Sequence, residues 1–217
     1  MIGIKRTSIP KLLAKTNKEF KAEIQGKSTK EAYEIYKRKK NKYKYNTDET
    51  KRFFRKMNNE RCSFCTKHIS DFEDEMTVEH IKTKKDYPRY IYQWSNLLCS
   101  CKSCNTKRST NSYVKNKYLD PSKVENIEEY FCYKFDGEIV VNDELDILSQ
   151  EKADYMIKLY KLNRRELVCK RREFLNDLIE DDDYLEILKN KDFKSQNIIF
   201  LSVFTYYTRR YEENYGK

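Results

Sequence analysis

Seven cysteines and two histidines carry most of the metal and proton chemistry open to this sequence. Four of the cysteines form two matched pairs, Cys62-x-x-Cys65 and Cys101-x-x-Cys104. Each pair suits a tight knuckle turn. Two knuckles can place four thiolates tetrahedrally around Zn²⁺. A closed four-thiolate site has no open coordination position, so the zinc expected here is structural rather than catalytic. Cys99 is a rival to Cys101, because Cys99-x-Cys101 lies in the same cluster. Cys101 is preferred for its standard spacing to Cys104. Cys132 and Cys169 stand isolated among large residues and read as small core residues. The competing reading, four ordinary buried thiols, leaves the two matched pairs unexplained.

Between the knuckles runs Thr77-Val78-Glu79-His80-Ile81. The second knuckle is preceded by Trp94-Ser95-Asn96-Leu97-Leu98 and closes with Cys104-Asn105-Thr106-Lys107-Arg108. An imidazole takes up a proton near neutral pH. His80 is the candidate base, since His68 has no acid directly beside it. The competing reading of His80 is a core histidine satisfied by a carbonyl. The pattern is a Cys pair, an acid–His dipeptide, a mid-motif Asn, and a Cys pair followed directly by Asn and a basic residue. It resembles the HNH nuclease family. The flanks resemble, more loosely, the HNH proteins of retron and Septu antiphage defence systems (the PtuB-like group). The matching stretches are residues 2–13 with Pro10, Tyr118-Leu119-Asp120-Pro121, the Gly137 segment, and Leu159-Tyr160-Lys161-Leu162-Asn163 with Leu167 and Arg171. Two positions depart from the pattern. Thr83 stands where the family often has Pro, and Arg108 stands where Lys is usual.

The resemblance implies an embedded ββα-metal module that hydrolyses DNA phosphodiester bonds, leaving a 5′ phosphate and a 3′ hydroxyl. It further implies an antiphage effector that works with a partner ATPase. In that reading His80 activates water, and Glu79 and Asn105 give hard oxygen ligands to one Mg²⁺ or Mn²⁺. Asn96 is expected to hold the loop between the knuckles by backbone hydrogen bonds. Arg108 supports the site. Neighbours in a regular strand face opposite sides, so Glu79 and His80 can share a site only if the strand ends or twists there, as the resemblance implies. From His80 to Tyr118 there are nine Lys or Arg against one acid, Asp86. Lys82, Lys84, Lys85 and Lys107 are therefore expected to contact the phosphate backbone, which carries affinity but no sequence information.

The elements that position these residues are mainly helical. Residues 1–59 read as a basic helical flank. Ser28 with Glu31 fits a capping box, and a second helix is expected over 48–57 with Phe53 and Phe54 as its apolar face. The basic run 37–44 reads as a solvated face. Residues 60–118 form the nuclease module, with a strand over 76–78 leading into Glu79–His80 and a helix over 105–113. Residues 119–217 hold a hairpin broken at Asp136–Gly137 and then helices. Met156, Leu159 and Tyr160 share one face, Asn163 with Glu166 fits another capping box, and the acidic run 181–183 suits a helix start. A last helix is expected over 195–213. Its tyrosines, Tyr206, Tyr207, Tyr211 and Tyr215, with Arg209 and Arg210, suit a partner interface. Packing against the small module is the competing role for that helix.

Formal net charge is +10, which favours a polyanionic partner. Residues 1–20 lack the apolar run of a secretion signal, and the longest apolar stretch, 198–204, is too short to cross a bilayer. A cytoplasmic protein with reduced thiols is expected, without a membrane role. The fold expected is mainly α with a small embedded ββα-metal module. The function expected is a metal-dependent HNH DNA endonuclease of antiphage defence. Two alternatives stay open: a zinc-ribbon protein that binds nucleic acid without cutting, and a stand-alone HNH nuclease of a restriction or mobile element.

Overall fold

The computed structural model describes residues 1–69, 75–108, 113–180 and 200–215. Nearly half of the described residues are α-helical, and two small antiparallel sheets accompany the helices. The first ten residues form no regular secondary structure and are not helical as expected for this flank. Their order comes from distant partners. The Ile4 amide donates to the Pro121 carbonyl at 2.7 Å, and the Arg6 guanidinium reaches the carbonyls of Trp94, Ser95 and Leu97 at 2.8, 3.2 and 3.0 Å.

Three helices follow. Helix α1, Lys11–Glu23, begins after Pro10 and buries Leu13, Thr16 and Phe20. Helix α2, Thr29–Lys39, carries the complete capping box of Ser28 and Glu31, in which each side chain takes the other residue's backbone N–H. Helix α3, Asp48–Met57, is capped by Thr47 and buries Thr50 and Phe54. Phe54 is fully buried against Trp94, with ring centroids 4.6 Å apart, while Phe53 is only partly buried.

The centre is a ββα unit. Strand β1, Met76–His80, pairs antiparallel with β2, Leu97–Cys101, in a register that sets His80 opposite Leu97 and Met76 opposite Cys101. Helix α4, Lys102–Lys107, follows at once and packs on both strands. It starts three residues earlier than the sequence suggests. Cys101 acts as its N-cap, with Sγ accepting the Cys104 amide at 3.4 Å. Residues 109–112 lie outside the described residues.

The second sheet is a hairpin of β3, Phe131–Tyr133, and β4, Ile139–Val141. Gly137 turns it at φ +91°, and a Cβ there would lie 2.2 Å from the Val168 carbonyl oxygen. Only glycine combines that angle with that approach. Helices α5, Ile147–Leu159, α6, Arg165–Glu180, and α7, Leu201–Tyr215, complete the chain. Asn163 does not cap α6. Its side chain instead takes the Ile139 N–H at 2.9 Å and donates to the Ile139 carbonyl at 2.7 Å, extending the hairpin edge. Buried Arg171 then ties α6 to the hairpin through the Gly137 carbonyl at 2.6 Å. The acidic run 181–183, the expected start of the last helix at 195–199, and the side chains of Tyr211 and Tyr215 lie outside the described residues. One apolar core runs from Leu13 and Phe20 through Leu97 and Leu98 to Phe200 and Phe204.

Candidate active site and thiol cluster

The knuckle at Cys62 closes on itself: the Cys62 amide donates to the Lys67 carbonyl and the Thr66 amide to the Cys62 carbonyl, both at 3.0 Å. Thr66 takes φ +60° to make the turn. Cys101 and Cys104 arrive from the end of β2 and the first turns of α4. The sulfurs of Cys62, Cys65, Cys101 and Cys104 all lie within 4.8 Å of one another, and all four residues are buried. Cys99 is buried but stands outside this group. Burial disfavours charge on Cys62, yet the close approach of Cys101, Cys104 and Cys65 holds it well below the usual thiol range, while Cys101 and Cys104 are pushed up. Burial pushes the Cys99 thiol up as well. The donor set therefore fits a tetrahedral thiophilic ion.

Cations surround this cluster. Both terminal nitrogens of Arg164 lie 3.6 Å from the Cys104 sulfur. Lys67, Lys107 and Lys170 line a cavity of about 200 Å³ beside Cys65 and Arg164. Four thiolates with one divalent ion make a net dianion, and these charges offset it at short range. Arg164 is not marked by any sequence motif, because it comes from the turn before α6, sixty residues from the cluster.

His80 ends β1 and is 5% exposed. Its Nε2 lies 3.0 Å from the Ile91 carbonyl oxygen, and its ring meets Tyr45 edge-on at a centroid distance of 4.6 Å. Burial, aided by the charge of Lys84, holds the imidazole down to about 3, so the ring is neutral. Glu79 leaves the strand in another direction and pairs with Arg108. The Arg108 fork also reaches the His80 carbonyl and, at 2.9 Å, the Ile81 carbonyl. A lysine at this position has no planar fork with which to span three acceptors. Burial pushes the Glu79 carboxyl up, against the pull of Arg108 and Lys84. The charge of Lys84 thus bears on both Glu79 and His80.

Asn105, on α4, donates its amide to Thr77 Oγ1 at 2.9 Å, which leaves its Oδ1 without a hydrogen bond among the described residues. Thr77 and Glu79 alternate onto one face of β1. A carboxylate and an amide oxygen are the donor types that a hard divalent cation takes, although here the Glu79 carboxylate is engaged by Arg108. Asn96 accepts the Lys82 amide at 2.8 Å and donates to the carbonyls of Lys82 and Tyr90, closing the loop between the strands. His68 lies by the first knuckle, 3.5 Å from Glu60.

The four lysines differ in setting. Lys85 and Lys107 are exposed. Lys82 is half-buried over the Tyr90 ring at 3.9 Å, and Lys84 donates to the Tyr45 hydroxyl at 3.1 Å. Tyr45 itself is absent from the sequence motif. The one hint is its place in Tyr43-Lys44-Tyr45, aromatic residues at the end of a run that otherwise reads as solvated.

Residues 62–111 match the HNH endonuclease family. Two curated relatives are both described as Septu protein PtuB. The one from Bacillus thuringiensis is 30% identical over 104 residues, covering 46% of this chain and 40% of the relative. The one from Bacillus mycoides (strain KBAB4) is 26% identical over 213 residues, covering 82% of this chain and 68% of the relative. The chain thus carries an HNH module and resembles the Septu PtuB proteins, although the first match spans less than half of that relative's length.

Proposed function

We propose that this chain, with its HNH module and its likeness to Septu PtuB proteins, is a DNA endonuclease of antiphage defence that acts with a partner ATPase. The observation that carries the catalytic reading is the single hydrogen bond of His80. A carbonyl oxygen only accepts, so Nε2 holds the ring proton and Nδ1 keeps its lone pair. A neutral imidazole with one free nitrogen can take a proton from an attacking water. A phosphodiester beside the ring offsets the burial and the Lys84 charge that hold its basicity down.

Glu79 and Asn105 would hold one Mg²⁺ or Mn²⁺. When bound, such an ion stabilises the negative charge that grows on the phosphate and the leaving oxygen. Arg108 orients the Glu79 carboxylate and fixes the end of β1 through the carbonyls of His80 and Ile81. Lys82, Lys84, Lys85 and Lys107 supply positive charge for the backbone phosphates, which leaves sequence selectivity low. Asn96 keeps Lys82 and Tyr90 at fixed spacing. Cys62, Cys65, Cys101 and Cys104 would hold Zn²⁺ as the staple of the module.

Helix α7 is the proposed docking surface for the ATPase. Phe135, 64% exposed, packs beside Tyr207 at a centroid distance of 5.0 Å, giving an aromatic ledge, while Arg209 on the same helix pairs with Glu128 and Glu129. The same helix also packs inward, since the Tyr207 hydroxyl donates to the Tyr133 carbonyl at 2.8 Å. No helix among the described residues is long and apolar enough to cross a membrane.

A second reading has one observation in its favour. His80 is buried and satisfied by a carbonyl, as a core histidine would be. In that reading the protein binds nucleic acid without cutting it. Conversion of supercoiled plasmid to the nicked form separates the two, with Mg²⁺ or Mn²⁺ and with and without the ATPase. Metal-dependent nicking supports the nuclease. Binding without nicking under all four conditions supports the second reading.

A further inference from the structure

The HNH match begins at Cys62, yet one wall around His80 comes from well before it. Tyr45 lies in the strap between α2 and α3 and sets its ring at 87° to the imidazole, 4.6 Å away. The Ile91 carbonyl holds the other side through Nε2. Both walls rest on one aromatic cluster. Tyr92, next to Ile91, donates its hydroxyl to the Tyr43 carbonyl at 3.1 Å and packs against Phe20, Tyr43 and Tyr45 at centroid distances of 5.0, 6.0 and 6.2 Å. The far end of the Tyr45 ring is pinned as well, because its hydroxyl accepts from Lys84 Nζ.

One hydrogen bond fixes one point of an imidazole and leaves the ring free to rock about that bond, while a flip about χ2 has to give the bond up. A flip exchanges the positions of Nδ1 and a carbon, so no base faces the water. A perpendicular aromatic ring packed against the imidazole restrains the plane that the hydrogen bond leaves open. We propose that Tyr45 is a positioning residue that, with the Ile91 carbonyl, aims His80 Nδ1 at the reacting water, so that the N-terminal strap is part of the active site. This rests on the reading of His80 as the base.

The test uses the full chain with Tyr45→Phe, Tyr45→Leu and Tyr45→Ala, each checked for fold by circular dichroism. Misaimed groups cost up to about a hundredfold in rate. The expected result is a kcat for plasmid nicking reduced about 10- to 100-fold in the Ala and Leu variants, with KM within about twofold. Tyr45→Phe keeps the ring edge and restores most of the rate. The Leu variant fills the volume and serves if the Ala variant is unstable. A second arm does not depend on cleavage. With two histidines in the chain, nitrogen NMR resolves each imidazole. His80 should be the Nε2–H tautomer in the wild type and a mixture in Tyr45→Ala. Wild-type kcat with an unchanged tautomer in Tyr45→Ala overturns the proposal. A raised kcat also overturns it, making Tyr45 a cover rather than a support. Equal losses in Phe and Ala overturn it by placing the role in the hydroxyl. A wild-type chain that cleaves neither alone nor with the partner ATPase sinks the base assignment instead, while the NMR arm still decides whether Tyr45 holds the ring.

Discussion

Cys101→Ser should lose the metal that Cys99→Ser keeps. Both residues lie on β2, two positions apart on one face, and both are fully buried. Burial therefore cannot tell them apart. What differs is the company of the sulfur: Cys101 lies 3.9 Å from Cys65 within the four-sulfur group, and Cys99 lies outside it. Structural zinc is worth about 10–16 kcal/mol in small zinc domains at neutral pH. The net stability of a domain is about 5–15 kcal/mol. Losing most of the metal's contribution is therefore enough to unfold the module. Replacing the Cys99 thiol by a buried hydroxyl without a new partner costs about 1–3 kcal/mol, which a folded domain survives. The assay is zinc content by elemental analysis on each purified protein, followed by urea denaturation. Wild type and Cys99→Ser should each hold about one zinc per chain. Cys101→Ser should hold a small fraction of that and unfold at much lower urea. Full zinc in Cys101→Ser together with loss in Cys99→Ser would refute the reasoning.

Two further outcomes follow from the packing. Arg108 and Glu79 have side chains only 9% and 8% exposed. Arg108→Met strands a buried carboxylate and should cost about 3–5 kcal/mol by urea denaturation, while Arg108→Lys, lacking the fork, should cost about 1–3 kcal/mol; a Met variant as stable as the wild type contradicts the buried pair. Docking through α7 predicts that replacing Tyr207 and Tyr211 by Ala keeps helix content by circular dichroism and abolishes co-purification with the partner ATPase. A normal complex from the folded variant excludes α7 as the docking surface.

What the sequence reveals is what local chemistry decides. The Ser28–Glu31 box sets the start of α2, and the run into Glu79–His80 marks β1. The two Cys pairs signal their own convergence by spacing alone. Where distant partners decide, the sequence is silent or misleading. Asn163 with Glu166 has the form of a helix cap, but the backbone of Ile139 competes for the Asn163 side chain and wins. The first ten residues, expected to be helical with the rest of their flank, are instead drawn by Arg6 across carbonyls some ninety residues away. Tyr45 and Arg164 approach the site from the two flanks, so no motif within residues 62–111 points to either. The orientation problem at Glu79–His80 is also tertiary. Arg108 draws Glu79 one way, while Ile91 and Tyr45 hold His80 another, at the last residue of the strand.

The central claim is that His80 is the base of a phosphodiester hydrolysis. The measurement that tests it most directly is plasmid nicking by His80→Ala, with zinc content and DNA affinity measured on the same preparation. A general base acts in the transition state and contributes little to ground-state binding. The account predicts a rate reduced about 10²- to 10⁴-fold, with zinc and DNA affinity close to wild type. A folded, zinc-loaded His80→Ala protein that nicks plasmid at the wild-type rate would contradict it.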